Sequence, residues 1–212
     1  NGISGDGELN LSLPGSTFIY ENLNGAGYSG FTGTLNITGT TPGALLTLNF
    51  NGGAFHGNLA GAAVNLDNIT LFGRHNSGGN TLTIGALSGT ATSSLGGSGY
   101  AGNETINLGG LNLDTTFAGS ISNGVAITTV NKTGTGALTL SGTNNFTGGL
   151  NVNGGSVLVN GLTTAGTVTV AGTATLGGSG SIGGPVTLSS GASLKPAGTL
   201  TASGNLTLNS AK

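Results

Sequence analysis

One pattern limits what this chain can become. A triplet of aliphatic residue, Thr or Asn, and aliphatic residue recurs from end to end. It reads Leu35-Asn36-Ile37, Leu46-Thr47-Leu48, Val64-Asn65-Leu66, Leu82-Thr83-Ile84, Ile106-Asn107-Leu108 and Leu138-Thr139-Leu140. It continues at Leu150-Asn151-Val152, Val168-Thr169-Val170, Val186-Thr187-Leu188 and Leu206-Thr207-Leu208. Alternation of this kind puts the aliphatics on one face of a short strand and the polar residue on the other. No window combines helix formers with a 3.6-residue apolar period, so helix is nearly excluded.

The spacing turns strands into an architecture. Positions 46, 64 and 82 are 18 apart, as are 150, 168 and 186, and the next step, to 206, is 20. A second series, Val157-Leu158-Val159, Leu176 and Leu194, lies between them. Gly, Asn and Ser fill the gaps, as turns with positive φ require. A period of about 20 residues indicates a solenoid, whose coils bury their aliphatic faces only by stacking. At about 4.8 Å per coil, roughly eleven coils make a rod on the order of 50 Å long. The reading is all-β: a parallel β-helix of about 18–20 residues per coil. An antiparallel β-sandwich also accommodates short strands at this spacing, but the fixed recurrence favours the helix. Aromatics and longer steps concentrate in the first half. Residues 1–118 therefore read as an irregular β-helical section with longer loops, and 119–212 as its regular continuation in one body.

Composition decides between folding and disorder. Of 212 residues, 45 are Gly, 32 Thr and 24 Asn, and only 5% are charged. Disordered chains carry charge and lack buriable aliphatics; this one is 35% hydrophobic and regularly patterned. Four basic residues, Arg74, Lys132, Lys195 and Lys212, cannot supply the patch that nucleic acid or an anionic membrane requires. No run of 18 apolar residues suggests a membrane-spanning helix. With no cysteine there is no disulfide or thiolate chemistry. The chain starts at Asn1 rather than Met, as a mature form or an excised piece does, and ends in "GNLTLNSAK", where another strand is expected.

The stretch "KTGTGALTLSGTNNFTGGLNVNGGSVLVNG", residues 132–161, resembles the autotransporter-associated β-strand repeat, also called the passenger-associated transport repeat. Lys132, Gly134, Gly136, Leu138, Leu140, Gly142, Asn144, Phe146, Gly148, Gly149, Gly154 and Gly155 fit its pattern. The resemblance implies a right-handed parallel β-helix, secreted or displayed on the surface of a Gram-negative-type bacterium. It implies no catalytic residue set.

The residues themselves offer little chemistry. Asp6 and Glu8 are near each other, but a paired-carboxylate hydrolase needs its two acids across a cleft. Asp114 suits the role of acceptor for turn amides. His56 has no second His, Cys or acid at ligand spacing, so no metal site is expected. The matches to G-x-G-x-x-G at 25–30 and 178–183 open no helix, so neither marks a cofactor site. Arg74 and His75, with Tyr28 and Tyr100 near glycine-rich turns, are the candidate glycan contacts. Leu9, Leu11 and Leu13 alternate in a strand that is the candidate docking partner, in a second copy, for an open last coil carrying Leu206 and Leu208. The expected function is a non-enzymatic, extracellular structural solenoid needing no cofactor, with head-to-tail stacking as its sharper form and, as the rival, a glycan-binding adhesin segment or a polysaccharide-active β-helix.

Overall fold

The computed structural model describes residues 4–14, 19–22, 30–41, 43–49, 56–74, 80–96, 103–125, 127–164 and 166–210; within these, the side chains of 19–22, 47–49, 56–57, 72–74 and 80 are outside the description. Every described strand pairing is parallel, and no described residue is helical. The fold is a parallel β-solenoid with three strand-bearing faces, visited in the same order in each coil.

Face I begins at Ser4–Gly5 and Gly30–Phe31 and runs through the first parts of His56–Asp67 and Asn80–Gly89. It continues through Glu104–Leu108, Thr128–Lys132, Gly149–Val152, Val168–Val170, Val186–Leu188 and Leu206–Leu208. Face II carries Glu8–Leu13, Thr34–Gly39, the later parts of His56–Asp67 and Asn80–Gly89, then Thr115–Phe117 and Ala137–Leu140. It ends with Ser156–Val159, Thr175–Gly178 and Ser193–Pro196. Face III stacks Ile19–Asn22, Ala44–Asn49, Ile69–Arg74, Ser94–Gly96 and Ser120–Ser122. A separate ladder of Thr143–Asn144, Leu162–Thr163, Ser181–Ile182 and Thr201–Ala202 carries it onward.

The alternation expected from the triplets is present on all three faces, but their spacing needs one correction. Leu150, Val168 and Val186 are register partners on face I, so their 18-residue step is a true coil. Leu46, Val64 and Leu82 do not stack: they lie on faces III, II and I. Their equal spacing is one triplet per face, not one per coil. True coils in the first half are longer: Leu9 pairs with Leu35, Leu35 with Val64, and Leu82 with Ile106. Among the described residues face II therefore stacks nine strands, fewer than the eleven coils the short period suggests. The 18–20-residue period holds from Val130 onward on face I, through Leu150, Val168, Val186 and Leu206.

Inward residues form continuous apolar columns. On face I, Leu82, Ile106, Val130, Leu150, Val168 and Val186 stack in register and are buried. Burying one such side chain contributes about 1.5–3 kcal/mol, so stacking is what holds strands this short. The largest ring on face II faces a glycine in the preceding coil. The ring of buried Phe117 occupies the space over Gly89, where an added Cβ would lie 2.7 Å from the ring.

Candidate functional site

Outward residues mostly satisfy one another. On face II, Asn36 donates from Nδ2 to Asn10 Oδ1 (2.8 Å) and Glu8 Oε1 (2.6 Å), and Asn65 donates to Asn36 Oδ1 (2.7 Å). On face I, Asn151 donates to Asn131 and Asn131 to Asn107, each over 2.9 Å. Register extends that column through Thr169, Thr187 and Thr207. These amide ladders are the side-chain counterpart of the backbone ladder, and they tie each coil to the next.

Two buried polar residues, Lys132 and Asn144, do the same work at the corners. In Thr128–Lys132 the side chains alternate, so Lys132 points inward with Val130 and is 1% exposed. Its ammonium donates to the carbonyls of Thr133, Gly134 (3.2 Å) and, one coil on, Gly154 (3.4 Å). Burial pushes the Lys132 pKa below its ordinary 10.5, and the nearby Asp114 carboxylate partly opposes that shift. Asp114 accepts from the Ala137 amide (2.7 Å), the turn role expected of it, and Asn112 accepts from the Thr135 amide (2.8 Å).

Asn144 sits where face III divides into two ladders. Its Oδ1 accepts from the Ile121 amide of the preceding coil (2.9 Å), and its Nδ2 donates to Gly142 (3.2 Å) and to Leu162 of the following coil (3.4 Å). One side chain thus bridges three coils. Its column continues to Thr163, also fully buried, whose hydroxyl has no hydrogen-bond partner. Asn123 bridges another corner, accepting from the amides of Thr128 (2.9 Å) and Thr147 (3.1 Å).

Of the residues proposed for glycan contact, only the backbone of Arg74 falls within the described residues. The Arg74 backbone ends the face III strand Ile69–Arg74, beside Asn49. His75, Tyr28 and Tyr100 lie outside the described residues, as does the side chain of Arg74. Among the described residues no three His, Cys, Asp or Glu side chains cluster as metal ligands, and no helix is long and apolar enough to cross a membrane.

The inter-subunit candidates are divided between faces. Leu9, Leu11 and Leu13 are on face II at one end of the stack, and Leu206 and Leu208 on face I at the other. At that second end Leu206 and Leu208 are 48% and 55% exposed. A cleft of about 50 Å³ opens there into the core between Leu176, Ile182, Val186, Leu194, Leu200 and Leu206.

Sequence reasoning passed over Lys132 and Asn144 as site residues. The signal for Lys132 was present: Thr128, Val130 and Lys132 share the inward parity of one strand. Asn144 carried no such mark, because its partners come from strands that only the stacking brings near.

Three parallel faces around an apolar core, with polar side chains linking successive coils, define a parallel β-solenoid. Within it, residues 130–159 match the family described as the passenger-associated-transport-repeat. The match runs from Val130 on face I to Val159 on face II of the next coil, and includes Lys132, Asn144 and Phe146, all fully or almost fully buried. No curated protein matches the chain.

Proposed function

We propose that this chain is a passenger-type structural segment: a rigid β-solenoid, non-catalytic, exported and held at the bacterial cell surface or released from it, whose copies stack end to end. One observation carries the reading. The polar residues of the matched repeat are spent on cohesion, with Lys132 joining the turn at 133–134 to Gly154 and Asn144 bridging three coils. A repeat whose distinctive side chains hold adjacent coils together supplies length and stiffness. The family is associated with autotransporter passengers, which supports a place outside the cell.

The test uses intact cells of the source organism. A membrane-impermeant amine reagent should label exposed Lys195 without lysis, and antibody to the chain should decorate the cells or the culture medium. Labelling only after lysis would overturn the extracellular assignment. Solution scattering of the purified chain should give a rod cross-section that stays constant while length grows with concentration. A compact particle of fixed size would overturn the structural reading.

A further inference from the structure

From Asn80 to Leu208, face I turns its charges inward and its neutral polar residues outward. Glu104 and Lys132, the charged residues of those strands, are both 1% exposed. On the outer side, Thr81 and Thr83, Thr105 and Asn107, and Thr129 and Asn131 lie two by two in register. One rank of these pairs continues through Asn151, Thr169, Thr187 and Thr207 without a register shift. The other is interrupted at Gly149 and resumes at exposed Thr167, whose carbonyl accepts the Leu150 amide (2.9 Å). Face II differs, since exposed Glu8, Asp67 and Lys195 stand among its outward residues.

The longer rank is fixed by its own hydrogen bonds. Asn151 donates to Asn131, Asn131 to Asn107 and Asn107 to Thr83, over 2.9, 2.9 and 3.4 Å. Side chains already held in place lose little freedom on meeting a partner, which favours binding. Neighbouring strands lie about 4.8 Å apart, and residues two apart along a strand about 6.7 Å, so the outward groups form a two-dimensional lattice. From Thr83 to Thr207 the rank extends about 30 Å.

We propose that this outward side of face I binds ice. Both repeats of the lattice lie within roughly a tenth of the spacings between oxygen atoms on a prism face of hexagonal ice. Threonine suits such a surface. Its hydroxyl hydrogen-bonds one water, while its methyl group leaves the neighbouring waters to bond one another around it. Asparagine adds a donor and an acceptor at the same spacing. Water held at fixed positions over the ranks joins the crystal as its next layer, and bonds through ordered water are nearly as favourable as direct ones. A charged side chain would orient water around itself instead, and this stretch of face I presents none outward. A repeating, uncharged surface fits a repeating, uncharged partner. The inference goes beyond the structural role and stands whether or not copies stack end to end.

The test uses the purified full chain. It should hold the freezing point of its solution below the melting point, by a gap that widens with concentration, and a fluorescently labelled chain should coat a growing ice crystal. Thr169→Lys combined with Thr187→Lys puts two charges on adjacent strands of the rank and should abolish both effects. Thr116→Lys combined with Thr139→Lys puts the same two charges on adjacent strands of face II and should leave both effects intact. Circular dichroism melts establish that the variants fold. Where the face I lysine pair lowers the melting temperature, Thr169→Tyr, a single bulky change at an exposed position that suits a strand, should give the same loss. A wild-type chain with no freezing gap and no coating of ice would overturn the proposal. Equal loss in the two lysine pairs would overturn the assignment to face I. Retention on crystalline cellulose without adsorption to ice would also overturn it, and would make the ranks a glycan surface.

Discussion

The carbonyl oxygen of Gly142 lies 2.1 Å from the position a Cβ on Gly161 would occupy one coil later. The carbonyl of Gly161 stands in the same relation to Gly180, and that of Gly119 to Gly142. The same oxygens bind the next coil: Gly142 accepts from the Leu162 amide (3.2 Å) and Gly161 from the Ser181 amide (2.9 Å). The corner between faces II and III is thus a glycine column, closed so tightly that inter-coil hydrogen bonds occupy the space of side chains.

Gly161→Ala forces backbone apart, since the obstructing atom is a carbonyl and not a flexible side chain. It should destabilise by at least the roughly 1–3 kcal/mol typical of overpacking. Gly110→Ala meets no atom within 4 Å and serves as the control. Urea midpoints for the two variants should separate clearly; equal midpoints would mean that the corners are looser than described.

Phe117 and Gly89 form a large–small pair across adjacent coils of face II. Gly89→Ala alone should cost about 1–3 kcal/mol through its clash with the ring. Adding Phe117→Leu to that variant should recover part of the loss, although Phe117→Leu alone destabilises by leaving a void. A thermal double-mutant cycle reads the coupling, and purely additive effects would show that the ring has room to move.

Lys132 gives the fold a pH dependence whose sign is fixed. Its folded pKa is below 10.5, so between that lowered value and 10.5 the unfolded chain binds more protons. This residue's contribution to stability therefore rises as pH increases through that window, and falls as pH decreases through its folded pKa. Measured against Lys132→Met, the wild-type chain should gain relative stability as pH rises towards 10.5. Lys132→Ala, which also leaves a cavity, should cost about 2–4 kcal/mol at neutral pH. A pH-independent difference between wild type and Lys132→Met would remove the titration argument.

Asn144 and Thr163 occupy the same inward column with opposite consequences. Asn144→Ala removes the acceptor of the buried Ile121 amide and two donor contacts, at about 2–4 kcal/mol. Hydrogen exchange at Ile121 should accelerate by more than any global loss of stability explains. Thr163→Val replaces a buried hydroxyl that bonds nothing with a methyl group of similar shape, and should stabilise by about 1 kcal/mol. A lower melting temperature for Thr163→Val would show that the hydroxyl has a partner.

The strands themselves were readable because period-two alternation is local: Leu35-Asn36-Ile37 declares its inward and outward sides without reference to any other segment. The regular coils from Val130 onward were also readable, since their corners are short and nearly equal, and sequence spacing there equals stacking distance. Lys132 fell between these cases. Its parity was visible in Thr128–Lys132, yet a lysine on an inward position becomes stable only when carbonyls from two coils converge on its ammonium.

What the sequence by itself determined is therefore the β class, the alternation and the repeat. The assignment of each triplet to a face was decided by tertiary structure, because it depends on how much chain each corner consumes. Leu46, Val64 and Leu82 are evenly spaced but stand on three faces, and Leu82 finds its partner in Ile106. The bridging role of Asn144 and the division of the end leucines between faces I and II were settled in the same way. In a solenoid, contacts are made between coils, and the chain length from one coil to the next is not written in any single strand.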